Sequence, residues 1–140
     1  MNWTLEVVIL PVSDIDRAKR FYVEGLGFDV DHDSRFGDAG RIVQVTPPGS
    51  GCSVVFGSGP GIPDMEPGSL KGVQLVVNDI RAARAELAGR GVPVSEVQVA
   101  GPEGFRPAGP EDTELNNVGF VTFADPDGNE WAVQEISGRP

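Results

Sequence analysis

"LPVSDIDRAKRFY" at residues 10–22 is echoed by "LVVNDIRAARAEL" at residues 75–87. At a constant offset of 65, Leu10, Val12, Asp14, Ile15 and Ala18 fall on Leu75, Val77, Asp79, Ile80 and Ala83, five identities in nine aligned positions. After a one-residue gap, Gly27 and Val30 fall on Gly91 and Val94. Self-similarity at a fixed spacing marks a duplicated supersecondary unit. Both copies carry the same physical signals. Residues 5–11 and 72–77 are apolar and β-branched, which predicts strands. Asp14 and Asp79 stand where a side-chain oxygen caps the first turn of a helix. Ile15, Ala18 and Phe21/Tyr22 share one helical face, as do Ile80, Ala83 and Leu87. Gly25–Gly27 and Gly89–Gly91 stop the two helices.

Working outward, "FDV" (28–30) and "VPVSEVQV" (92–99) follow the helices as strands. "RIVQVT" (41–46) and "CSVVF" (52–56) flank the turn "PPGSG", and "VGFVTF" (118–123) and "EWAVQEI" (130–136) flank "ADPDGN". The expected class is α+β, two tandem β-α-β-β-β modules in one domain spanning 1–140. Module 1 covers about 1–57, a Gly/Pro-rich linker 58–71 and module 2 72–140. A long segment, "AGPEGFRPAGPEDTELNN" (100–117), reads as a loop whose only aromatic and base are Phe105 and Arg106; loops of that length often serve as lids or binding loops.

Composition narrows the function. With 39% hydrophobic residues, the 140-residue chain can bury a core. A net charge of −10, from 21 acids against 11 bases, repels phosphate backbones and anionic membranes, so neither nucleic acid nor membrane is an expected partner. Nothing approaches the 18 or so consecutive apolar residues of a membrane span. "MNWTLEVVIL" has no basic n-region, so a signal peptide is not expected. The single Cys52 cannot form an internal disulfide, which fits a reducing cytoplasm, and its apolar neighbours suggest a packing role.

Two acidic runs invite a metal reading. In "DPDGN" (125–129) Pro and Gly suit a tight turn, and Asp125 can accept the turn amides, so the acids are explained without an ion. "DVDHD" (29–33) starts like a calcium loop, but Ser34 stands where Gly is needed and Gly40 where Glu is needed. Its alternation predicts a strand with Asp29, Asp31 and Asp33 on the wet face, and Phe28, Val30 and His32 opposite.

Taken together, the paired modules, "LPVSDIDRAKRFYVEGLGF", "PPGSGCSVVFG" and "DPDGNEWAVQEI" resemble the vicinal oxygen chelate superfamily, the glyoxalase, bleomycin-resistance and extradiol-dioxygenase fold. The resemblance implies two sheets curled into an open cup, and often a homodimer. In its enzymes it implies a divalent metal held by His, Glu or Gln from equivalent strands. Those positions lie seven residues before Asp14 and Asp79, three beyond Asn129, and on the last strand of module 1. Here they hold Val7, Gly72 and Ala132, and the strand 52–56 has no Glu, Gln or His. Carbon side chains donate nothing to a metal, so no metal and no cofactor is expected. A one-residue slip turns a side chain to the other sheet face, so Glu6 and Trp131 are no substitutes.

Strand parity taken from those positions puts Val7 and Ile9, Gln74, and Glu130, Ala132 and Gln134 on the cup face; Gln44 joins them with Phe105 and Arg106 from the 100–117 segment. An apolar concavity with a few amides suits a small molecule. The leading expectation is a cytoplasmic, metal-independent binder of a small hydrophobic or aromatic molecule, as in antibiotic sequestration or natural-product binding. One alternative is a lyase, isomerase or dioxygenase-like enzyme, either metal-free with Glu130 as general base or with a metal relocated to His32, Glu6, Glu130 or Glu135. The other is a non-catalytic dimeric assembly or regulatory module, using Trp3 or Trp131.

Overall fold

The computed structural model describes residues 1–138. It forms two compact units, Met1–Leu70 with Asp125–Asn129, and Lys71–Ala124 with the residues from Glu130 onward. The second module, expected over 72–140, has its last two residues outside the described ones.

In the first unit β1 (Val7–Ile9), β2 (Asp29–Arg35), β3 (Arg41–Thr46) and β4 (Ser53–Ser58) form one sheet in the order β1-β4-β3-β2. β1 runs parallel to β4 and the other pairs are antiparallel. Helix α1 (Ile15–Arg20) starts where Asp14 accepts the Arg17 amide at 3.0 Å, then widens into a π-helical turn, Phe21–Gly25. Gly27 ends it in the left-handed region, at φ 77°, which glycine adopts freely. Tyr22, fully buried, packs its ring 5.8 Å from Phe56 and 6.0 Å from Phe28, and Val43 and Val45 of β3 are buried as well.

The second unit repeats the plan with one addition. β5 (Val73–Val77), β6 (Gln98–Gly101), β7 (Gly104–Pro107), β8 (Gly119–Ala124) and β9 (Glu130–Glu135) are ordered β5-β9-β8-β6-β7. Without β7 this is the first sheet's order, and β5 again runs parallel to β9. Helix α2 (Ile80–Gly89) is capped by Asp79 on the Ala82 amide, and Glu135 accepts the Ile80 amide at 3.0 Å. Ile80 and Leu87 are buried, as are Val121, Phe123, Trp131 and Val133; the Phe123 and Trp131 rings stack at 5.9 Å. The duplicated α+β plan is thus borne out.

Four expectations need correction. The 100–117 segment is not a loop throughout: Ala100 pairs with Phe105 and Val99 with Arg106, so the β6–β7 hairpin adds an edge strand. The strand expected over 92–99 begins only at Gln98, preceded by a lone bridge from Val94 to Phe123; Pro93 has no amide to give a ladder, and the Ser95 hydroxyl takes the Thr122 amide instead. Trp131 is buried rather than offered at a surface. Finally, the acids of "DVDHD" do not share one face. The β2–β3 register slips between Val30 and His32, so Asp31 and His32 together oppose Gln44, and Asp33 pairs with Val43. A one-residue bulge inverts all that follows it, turning Asp33 to the helix-covered face. There Arg41, only 9% exposed, grips Asp33 through Nε and Nη2 at 2.9 and 2.8 Å and Asp16 through Nη1 at 2.8 Å, while Lys19 reaches Asp33 at 2.9 Å.

The "DPDGN" turn belongs to the first unit. Asp125, 5% exposed, accepts the Asp127 and Asn129 amides on Oδ1, and on Oδ2 the Asn129 Nδ2 and the Tyr22 hydroxyl at 2.7 Å. The expected Asx turn is present, but it also serves as an anchor. Asn129 donates to the Pro11 carbonyl and accepts the Leu70 amide. Asp127 accepts the Ser13 hydroxyl and the Arg17 guanidinium. Gly68 lies at φ 81°, and a side chain there would overlap the Asp127 carbonyl.

Two stability predictions follow from these contacts. Tyr22→Phe leaves a buried carboxylate one donor short, and should cost about 1.5–3 kcal/mol in urea denaturation; an unchanged midpoint would refute the anchor. Arg41 first and Lys19 second hold the Asp33 carboxyl well below its ordinary 3.8. With the folded value depressed, this contribution is present above the ordinary value and is lost as pH falls below it. Asp33→Asn should therefore lower stability by about 1.5–3 kcal/mol near neutrality and flatten its decline between about pH 4 and 2, read by denaturation over a pH series.

Candidate functional site

Each sheet buries one face under its helix, so the candidate side chains lie on the helix-free face. In the second unit the register fixes that face. Gln74 lies beside Ala132, which lies beside Thr122; Val76 and Phe120 flank Gln134. Phe120 pairs with Gln98, and Ala100 with Phe105. Alternation therefore gathers Gln74, Ala132, Gln134 and Phe105 on one surface, with Phe120 and Thr122. Phe105, 63% exposed, meets Phe120 edge to face at 5.3 Å. Gln74 Nε2 donates to Gln134 Oε1 at 2.5 Å, and Gln134 Nε2 donates to the Asn117 carbonyl at 2.8 Å. A depression of about 480 Å³, lined by Gly72, Thr122, Glu130 and Ala132 among others, opens along the same strands.

Two expected members behave differently. Arg106 falls on the opposite face to Phe105, level with Val99, and clamps Asp112 through two hydrogen bonds of 2.9 and 2.7 Å. It organises the segment after β7 rather than the surface with Phe105. Asp112 is held far below the usual carboxylate range, by Arg106 first and then by the Gly109 amide. Glu130 lies by the depression, but its side chain is 62% exposed and its carboxylate meets Lys71 at 3.0 Å.

In the first unit Val7 pairs with Ser53, Ile9 with Val55, and Val55 with Gln44, which assembles Val7, Ile9 and Gln44 on one helix-free face as parity predicts. Parity did not disclose a polar group in their midst. Asp31 Oδ2 accepts Gln44 Nε2 at 3.1 Å, the Thr46 hydroxyl, and the Ser53 hydroxyl at 3.4 Å. Hydrogen bonds from Thr46 first and Gln44 second, with lesser help from Ser53 and His32, lower the Asp31 pKa against the opposing effect of burial. The missed signal was the tripled Asp of "DVDHD", which a regular strand could not assign. Cys52, next to Ser53, is half-buried and free.

Residues 4–133 match the Glyoxalase/Bleomycin resistance protein/Dioxygenase superfamily. The chain belongs to that superfamily. Among solved structures it is similar to TnmS3, an antibiotic binding protein from Streptomyces sp. CB03234, at 36% identity and TM-score 0.72 over 97% of this chain and 98% of that one. It is also similar to a glyoxalase/bleomycin resistance protein of the same organism, at 35% identity and TM-score 0.66 over 94% of this chain and 99% of that one. A Sphaerobacter thermophilus DSM 20745 member of the superfamily is 29% identical, with TM-score 0.72 over 96% and 98% of the two chains. No curated protein sequence matches the chain.

The superfamily's divalent metal does not fit these residues. Val7, Gly72 and Ala132 hold three of its ligand positions, and β4, Ser53–Ser58, carries no His or carboxylate. Among the described residues no three His, Cys, Asp or Glu side chains are grouped to hold an ion, and Glu135 is engaged in capping α2. After incubation with zinc, nickel, manganese or ferrous iron and desalting, mass spectrometry should find far less than one ion per chain. One retained ion per chain would mean that another donor set exists.

Proposed function

We propose that this protein binds a small hydrophobic or aromatic molecule without a metal, as antibiotic-sequestering proteins of the superfamily do. The observation that carries the reading is the second sheet's helix-free face. The Phe105–Phe120 pair offers aromatic surface there, Ala132 leaves room beside it, and the linked amides of Gln74 and Gln134 supply neutral hydrogen-bonding groups. Such a face rewards a flat apolar ligand through burial and ring contacts, while the amides set its orientation. The likeness to TnmS3, an antibiotic binding protein, supports the ligand class. Homodimerisation in the cytoplasm is part of this proposal; Trp3 and Leu5, 87% and 70% exposed, give apolar surface for pairing. No helix among the described residues is long and apolar enough to cross a membrane.

A panel of polycyclic aromatic antibiotics, screened by thermal melting and followed by calorimetry, tests the reading. A ligand at about 100 times its Kd should stabilise the fold by about 2.7 kcal/mol and raise Tm by several degrees. Phe105→Ala should weaken binding about tenfold, a loss near 1.4 kcal/mol, with little effect on the Tm of the free protein. A panel with no stabilising member, or undiminished affinity in Phe105→Ala, would overturn it.

A further inference from the structure

The described acids differ in how their charge is met. Asp33 is neutralised by Arg41 and Lys19, Asp127 by Arg17, and Asp112 by Arg106. Asp31 makes no salt bridge among the described residues; its chain neighbour His32 is the one basic group that bears on it. Its donors, the Gln44 amide and the Thr46 and Ser53 hydroxyls, are neutral, and all three converge on Oδ2. They fix the direction of the carboxylate without cancelling its charge, and they leave Oδ1 without a hydrogen bond among the described residues. The bulge keeps Asp31 and His32 together opposite Gln44, and Asp31 remains exposed. Beside it lie carbon surfaces: Val7 pairs with Ser53, and Ile9 with Val55.

We propose that Asp31, Gln44, Thr46 and Ser53 form a subsite for the cationic head, an alkylammonium or amidinium, of a molecule whose apolar body lies along Val7 and Ile9. An ammonium has three donors and no acceptor. One meets Oδ1 in a charge-assisted bond, about twice as strong as a neutral one. The others find the acceptor lone pairs of the Thr46 and Ser53 hydroxyls, whose protons are already spent among themselves and on Asp31. The Gln44 amide holds the carboxylate from the side. A phosphate or carboxylate group is repelled by the same arrangement. This subsite goes beyond the aromatic face of the second sheet, and uses none of its residues.

The test compares 2-phenylethylammonium with neutral 2-phenylethanol, titrated into the full chain and followed by proton–nitrogen NMR. The ammonium should move the backbone signals of Asp31, Thr46 and Ser53 and the Gln44 side-chain amide, saturably and less at high salt. The alcohol should bind there at least about tenfold more weakly. Asp31→Asn, nearly isosteric, should erase the preference for the cation while the rest of the spectrum is unchanged. No response at these residues, an equal response to both compounds, or a preference intact in Asp31→Asn would overturn the proposal. Were the variant not to fold, the salt dependence and the neutral comparison in the parent chain would still decide. Because the probes report on the first sheet, failure here leaves the Phe105 prediction standing, and the converse also holds.

Discussion

A carboxylate that is 5% exposed must be satisfied by its surroundings, and Asp125 is satisfied by four donors, two from its own turn's backbone, one from Asn129 and one from Tyr22. An unpaired buried charge would cost several kcal/mol. Each of its donors therefore has a fixed place. Tyr22 must stand within hydrogen-bond reach while its ring fills the core between Phe28 and Phe56. Asn129 must face inward, where its remaining groups meet the Pro11 carbonyl and the Leu70 amide. The segment before α1, the end of the linker and the π-helical turn are thereby tied to five residues lying more than fifty positions further along the chain.

Both units follow one rule: a sheet has two faces and its helix covers one. Residues of one strand phase become core, as Val43, Val45, Val121 and Trp131 do. The opposite phase is free to vary, and it is there that the superfamily's ligand positions have become valine, glycine and alanine. Replacing donor atoms by carbon converts a place for a hard cation into a place for apolar matter. The remaining polarity on these faces comes from amides, hydroxyls, Asp31 and, at the edge of the depression, Glu130.

Much of this was readable from the chain. The repeat, the caps Asp14 and Asp79, and the phase of Val7, Ile9, Gln74, Ala132 and Gln134 follow from local rules of spacing that tertiary structure did not override. What was not readable depends on long-range or irregular features. The β6–β7 hairpin lies in a stretch dense in Gly and Pro, with no alternation to mark it. The partners of Asp127 are more than one hundred residues away in sequence. The fate of "DVDHD" turned on one bulge, and neither composition nor period announces an inserted residue. A single base in a loop has no phase, and the strand that carries Arg106 puts it opposite Phe105.

The same bulge has a meaning for how this chain can tolerate change in length. Residues 29–35 are mostly exposed and read like a surface strand where losing a residue is harmless. Here, however, the extra residue works as a phase changer between two charge systems. Before it the carboxylates belong to the outer world; after it, to the interior ion network of Arg41. Were the segment laid out as a regular strand with every residue kept in the ladder, Asp33 would exchange sides while Arg41 keeps its place, a cation enclosed with its counter-charge on the wrong side of the sheet. A shortening at Asp31 itself would keep Val30 opposite Val45 and Asp33 opposite Val43, so this is where the segment can lose a residue and still keep the ion network of Arg41.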